Sequence, residues 1–388
     1  MTRRFRSPSA PETLMTKCSL LLLLALAACQ DAGIGTGPDS DAESALKAGK
    51  PSSGTTITDL GLASGQEDSR AEDIDDQGRI AGWRGPWSGP NRAFLWTPTT
   101  PRGNTGTVID LGDLGGGAAQ AWGMNQSGQI VGSSITAGGA MRAFLWEGGA
   151  MHELPASGTA ASDLAFGVND AATRLVVGGN QAVDLALVWT ISGSGSSFQA
   201  SSPVTLPGFS GPGGFAYAVN NAGVVVGYGY GGGTNQPAKW TASGASWTIA
   251  ALPLPATAIG GIARDVNTAG TIVGETTKTG TCGQAVVWTG AVSLLPGLTG
   301  TSCSAATAVN DAGQIAGISS VRGGASHAVL WRPLSAGGYS VTDLGAIGSL
   351  PDVRAINEPG SGAQAGLEIV GASYFRSGAL HATLWTVK

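Results

Sequence analysis

Few residues in this chain have types and spacings that suit covalent chemistry. Among 388 residues there are three histidines, His152, His327 and His381, and four cysteines. None of these falls into a metal-ligand spacing, and no Ser/His/Asp arrangement emerges. What remains is the chemistry of contact. Trp122, Phe166 and Tyr217 offer aromatic faces on which a sugar ring can stack, and Arg264 and Arg354 offer cations that can hold an acidic substituent. Trp83 and Trp87 sit in a stretch read as a long loop, which would extend the same surface. The competing reading is that these large side chains only pack between neighbouring elements.

The five contact residues share one register. With Glu72 and Thr307 they fill the second position of a recurrent segment, A-x-x-[IVM]-[ND], found at 71–75, 121–125, 165–169, 216–220, 263–267 and 306–310, and more loosely at 353–357. Each copy leads through a turn to an apolar triplet ending in glycine: Gly82, Gly132, Gly178, Gly227, Gly274, Gly317 and Gly371. Each then reaches a strand ending in tryptophan: Trp96, Trp146, Trp189, Trp240, Trp288, Trp331 and Trp385. Successive tryptophans lie 50, 43, 51, 48, 43 and 54 residues apart, the period of propeller blades.

Sixty-three glycines alternate with short Val, Ile, Leu, Phe and Trp runs, and no segment keeps a helical period. The fold class is therefore all-β: a seven-bladed propeller of four-stranded blades. The chain ends at HATLWTVK, the third strand of the seventh unit, while TTITDLG at 55–61 is an orphan fourth strand. Pairing the two closes the ring and removes two exposed sheet edges. The recurrent tryptophans are read as packing between sheets rather than as ligand platforms.

The N-terminal segment has other chemistry. Lys17 precedes a leucine-rich run that ends in Leu26-Ala27-Ala28-Cys29, which resembles a bacterial lipobox in which Cys29 is lipidated. Residues 1–28 are read as a lipoprotein signal peptide, with Met15 a candidate true start, and residues 29–55 as the lipidated cysteine and a flexible linker poor in large apolar residues. The propeller occupies 56–388. Gln30, a non-aspartate after the cysteine, resembles lipoproteins sent to the outer membrane, facing the periplasm or the surface. Loss of residues 1–28 removes four basic residues and Glu12, moving the net charge from -5 to -8. With no Lys/Arg cluster, nucleic acid is disfavoured, and the membrane is met through the lipid alone. Cys282 and Cys303 remain in an exported, oxidising setting, in loops expected on one face, and are read as a disulfide worth roughly 3 kcal/mol.

The repeat units carry a further resemblance. DLGDLGG at 110–116, VNDAGQIAG at 309–317 and RAFLW at 142–146 are similar to the HAF family of probable extracellular repeats, and the likeness weakens at PAKW in the fourth unit. It implies a secreted or surface repeat protein and supplies no catalytic residue. Asp73-Ile74-Asp75-Asp76-Gln77-Gly78 resembles the calcium loops of FG-GAP propellers, yet other copies place Ala222, Ala269 and Ala312 where a ligand is required. No metal and no cofactor is expected.

The reading is a monomeric, non-catalytic binding module for a glycan or an envelope protein, held at the cell envelope by its lipid. Alternatives are a structural scaffold of the envelope or a propeller hydrolase or lyase. An enzyme needs convergent acid and base groups, and the repeat-equivalent positions are mostly Gly, Ala and Asn.

Overall fold

The computed structural model describes residues 52–388 except 63–67, 87–88, 159–161, 232, 245, 280–281, 299–302, 321–324, 361–365 and 376–377. Cys29, Met15, the signal segment 1–28, nearly all of the linker and Trp87 lie outside the described residues. The described residues form seven antiparallel sheets arranged as a seven-bladed β-propeller. Blades 1 to 6 take their strands in chain order, and in blade 3 the fourth strand is split into two short pieces, Gln199–Ala200 and Val204–Thr205.

Blade 7 is completed from the other end of the chain. Its outermost strand, Thr55–Asp59, pairs with Leu380–Val387 in the register Thr55↔Val387 to Asp59↔Thr383. Lys388 N donates to Gly54 O at 3.0 Å and Leu60 N to Ala382 O at 3.0 Å, extending the closure past both strand ends. The expected ring closure is what the fold contains, and it leaves blade 7 with the same four strands as its neighbours.

The apolar core is not one body but seven clusters, each lying between two blades. Trp96, for example, packs with Val370, Ala382 and Leu384 of blade 7. All seven recurrent tryptophans are buried, at 8% exposure or less. Four of them also hold the incoming connection: the indole Nε1 of Trp189, Trp240, Trp288 and Trp331 donates to the carbonyl of Pro155, Pro207, Pro253 and Pro296 at 2.7–2.9 Å. Blades 1, 2 and 7 are entered instead through Asp-Leu-Gly. There Asp59, Asp110 and Asp343 each cap their own glycine amide. The same carboxylates pair with His381, Arg92 and His327 of the adjoining third strand. Those two histidines are thus structural acid partners, and His152 stacks on Phe198 with ring centres 4.2 Å apart.

Every first strand contains a β-bulge at the same place. The ladder slips between Ala71 and Asp73, Ala121 and Gly123, Ala165 and Gly167, Ala216 and Ala218, Ala263 and Asp265, Ala306 and Ala308, and Val353 and Ala355. The residue left out of the ladder is the variable second position, which a bulge frees from the pleat and re-aims. The bulge also explains the recurrent glycine opposite. A Cβ at Gly82 would lie 2.0 Å from Arg70 O, and one at Gly227 1.9 Å from Phe215 O, so no other residue fits.

The first strands meet one another around the central channel. At their far ends the [ND] residues form a hydrogen-bonded ring. The Nδ2 groups of Asn125, Asn169, Asn220, Asn267 and Asn310 each donate to the carbonyl of the equivalent residue in the next blade at 2.9–3.1 Å. Asn357 reaches Asp75 O at 3.5 Å. Asp75 cannot donate, and Arg79 takes over its link: it is held by the Asp75 carboxylate, and its Nη2 donates to Gln126 O at 3.2 Å.

Candidate binding face at the channel

The second-position residues form a band around the channel, midway along the first strands rather than at the mouth. Phe215 and Tyr228, which pair across the ladder, and then Tyr230 step from the level of Tyr217 towards the loops joining second to third strands. Glu72 is buried, and Trp122, Phe166, Tyr217, Arg264, Thr307 and Arg354 are partly buried.

On one side of the channel the structure brings the expected aromatic residues together. Trp122 meets Phe166 edge-on with centroids 6.0 Å apart, and Phe166 lies 5.4 Å from Tyr217. The contact continues beyond the residues picked out by their repeat position. Tyr217 and Phe215 both reach Tyr228 at 6.0 Å, and Tyr228 meets Tyr230 at 5.6 Å. Tyr230 is 37% exposed, so this aromatic belt runs unbroken from the channel to the surface.

On the other side Arg264 and Arg354, expected from the sequence to hold an acidic substituent, are already paired with carboxylates of the protein. The Arg264 guanidinium lies over the Tyr217 ring, 5.2 Å from its centroid, and is held by Glu275. Arg354 lies 3.5 Å from Glu72 and 3.0 Å from Asp352. Arg70 joins the same cluster, bonded to Asp352 and 3.5 Å from Glu72. Three arginines thus face three carboxylates, and the cluster has no cationic excess. Burial, and then the neighbouring Arg354, pull the Arg70 guanidinium down to about 9.

Trp83 requires a second correction. It belongs to the second strand of blade 1, Ile80–Gly85, and not to a loop. It is 2% exposed, and its Nε1 donates to Glu72 Oε1 at 2.9 Å, so it holds a channel carboxylate and cannot meet a ligand. Sequence reasoning missed Glu275, Asp352, Arg70, Tyr228 and Tyr230. A signal for two of them exists: Glu72–Trp83, Trp122–Ser133 and Arg264–Glu275 are hydrogen-bonded pairs eleven residues apart, and Tyr217 and Tyr228 have the same separation.

The carboxylates of the calcium-like loop are occupied by protein donors. Asp75 accepts the Gln77 and Arg79 amides, Asp76 accepts Glu358 N at 2.8 Å, and Asp73 accepts Ile74 N and Met124 N at 2.8 and 2.7 Å. Asp265 is the counterpart of Asp73 in blade 5, accepting Val266 N and Val309 N. Burial pushes the Asp73 carboxyl up to about 7 and the Asp265 carboxyl to about 6. Both act as clasps between blades. Cys282 and Cys303 are joined in a disulfide with Cα atoms 5.3 Å apart, tying a loop of blade 5 to the connection into blade 6.

No family model matches the chain, and no curated protein does either. Among solved structures, it is similar to the β-propeller domain of the Trilobed protease from Pyrococcus furiosus. That likeness covers 82% of this chain and 95% of that one at 9% identity, with a TM-score of 0.52. That domain is described as having an open velcro topology, whereas here Thr55–Asp59 pairs with Leu380–Val387. The BP39L lectin from Burkholderia pseudomallei follows at 12% identity, 84% and 96% coverage and a TM-score of 0.44. TolB from Acinetobacter baumannii has 12% identity, 71% and 65% coverage and a TM-score of 0.43. At these identities the likeness is one of fold: the chain is a β-propeller.

Proposed function

We propose that this protein is a non-catalytic binding module, related to the HAF repeat proteins and held at the cell envelope by a lipid on Cys29, whose aromatic channel face takes a glycan or protein partner. The observation that carries the binding reading is the aromatic belt from Trp122 to the exposed Tyr230. It offers a rigid, amphipathic surface along one side of the channel.

The charged groups argue for binding over catalysis. Asp73 and Asp265, whose elevated pKa values would suit proton transfer, have both oxygens engaged by backbone amides. The arginines of the channel are each paired with an acid. The anchor rests on the Leu26-Ala27-Ala28-Cys29 motif alone.

A glycan array run beside a pull-down from envelope extract tests the reading. A saturable hit that weakens in Trp122→Ala and Tyr217→Ala, with folding intact, supports it. Binding untouched by both variants moves the site off the channel. A stoichiometric protein partner with no glycan hit, retained in full by both variants, favours an assembly role. Radiolabelled palmitate incorporated in the full chain and absent from Cys29→Ser tests the anchor.

A further inference from the structure

The channel face contains one arrangement twice, once complete and once lacking a component. In the complete copy the Tyr217 ring carries the Arg264 guanidinium above it, and Glu275 holds that guanidinium. An aromatic face, a cation and a carboxylate close on one another. Nearer the surface, Tyr230 presents a ring that is 37% exposed and set edge-on to Tyr228.

Asp184 stands beside it. Gly214 N donates to Asp184 O at 2.9 Å and Tyr230 N donates to Gly213 O at 3.3 Å, so Asp184 and Tyr230 flank a single stretch of backbone. Gly213 has φ 152°, and a Cβ there would come within 2.8 Å of the Tyr230 ring, so a larger residue would push the two sides apart. Asp184 is held at φ 50°, a left-handed conformation that L-residues other than Asn and Asp rarely adopt. Its carboxylate has neither a hydrogen bond nor an ion pair among the described residues, although it is partly buried. Burial holds its pKa above the ordinary carboxylate value. Among the described residues no cation pairs with this carboxylate.

Two exposed apolar side chains sit at this end of the belt. Val183, next to Asp184, is 56% exposed, and Ile259 is 46% exposed. Ile259 is fastened to the Tyr230 hairpin, its carbonyl accepting from Thr234 Oγ1 and Gln236 Nε2 at 3.1 and 3.2 Å. An aliphatic stem ending in a positive charge matches such surroundings, with apolar side chains at hand for the stem and the ring and carboxylate for the head. The acidic chain, at net charge -5, favours a basic partner at longer range as well.

We infer that Tyr230 and Asp184 form a receptor for a basic side chain, a lysine ammonium or an arginine guanidinium, of a polypeptide partner. The inference rests on the proposed binding role of this face and specifies the partner it takes.

The test is a titration of the full chain, followed by NMR, with blocked tripeptides carrying lysine, arginine or norleucine at the centre. The lysine and arginine peptides should bind saturably and the norleucine peptide should not. Asp184→Asn should weaken binding roughly tenfold, Tyr230→Phe should keep it and Tyr230→Leu should abolish it, with thermal unfolding confirming that each variant is folded. Glu153→Gln, which removes an acid whose side chain is 50% exposed elsewhere, should leave binding unchanged. Equal weakening by Glu153→Gln and Asp184→Asn would mean attraction by net charge alone and would overturn the inference. So would binding indifferent to both Asp184→Asn and Tyr230→Leu. A glycan bound saturably and independently of these two residues overturns this inference but leaves the binding role standing. If neither peptide, glycan nor envelope extract yields a saturable partner, both fail.

Discussion

The seven first strands carry two rings, and the two are built on opposite principles. At the turn end the ring is nearly uniform: six asparagines and one aspartate, each tied to the next blade. Midway along the same strands the bulge ring differs in almost every blade, running Glu72, Trp122, Phe166, Tyr217, Arg264, Thr307, Arg354. Each of these side chains donates to a backbone carbonyl of the next blade while its oxygen accepts amides of its own turn, and asparagine alone offers both groups at that reach, so the residue repeats. A residue released from its ladder by a bulge is free to differ, and only its local neighbours constrain it.

The exceptions on each ring are instructive. Asp75 departs from asparagine, and Arg79 supplies the donor that is lost. Glu72 departs from its neighbours by being fully enclosed, and it has recruited Arg70, Arg354 and Trp83 around it. In both cases the chemical change is matched by new partners within reach.

These contrasts can be broken or sharpened by mutation. The largest effect is expected from deletion of residues 55–62, which strips the outer strand from blade 7 and reopens the ring; calorimetry should show loss of the single cooperative transition. Next comes Glu72→Ala, which leaves the buried Arg70 and the partly buried Arg354 short of an acid. It should cost about 3–5 kcal/mol in chemical denaturation, far more than a typical bulge residue.

Asn220→Ala removes one bond to blade 5 and two to its own turn, at Ala222 and Val224. A loss of about 2–3 kcal/mol is expected in the same assay. Asn220→Asp should cost nearly as much, since Val224 stands where blade 1 has Arg79, while Asp75→Asn should be tolerated. Thr307→Ala, on the bulge ring, should change stability by about 1 kcal/mol or less. A Thr307→Ala loss equal to that of Asn220→Ala would erase the distinction between the rings.

A slope with pH is expected as well, because burial outweighs the two amides that each carboxylate accepts. Asp73 and Asp265 titrate in the folded chain at about 7 and about 6, above their ordinary 3.8. The folded protein therefore keeps protons that the unfolded chain releases, and this contribution to stability is present below pH 4 and lost as pH rises through 6 to 7. Denaturant midpoints measured across that range should fall for this pair and flatten in the Asp73→Asn, Asp265→Asn double variant.

Much of the architecture was legible because it repeats. The tryptophan period, the glycine-terminated triplets and the orphan strand at 55–61 are local patterns, and each appears in the fold where its spacing placed it. Trp83 reads as loop because the apolar triplet of the repeat ends at Gly82, while the strand runs on to Gly85. Arg264 and Arg354 read as free cations because Glu275 and Glu72 are brought to them by strand pairing and by ring closure. Glu72 and Arg354 are 282 residues apart and become neighbours only when blade 7 meets blade 1.

The sequence by itself determined the number of blades, their strand content and the way the circle closes, since each follows from a pattern of side chains within one repeat and from what is missing at either end. Only the tertiary structure decided which groups share the channel, which charges are cancelled and where an aromatic belt reaches the surface. Those properties arise between blades, where residues 43 to 51 or more positions apart are set against one another, and a bulge that turns one side chain per blade towards the channel leaves no mark in a hydrophobic pattern of period two.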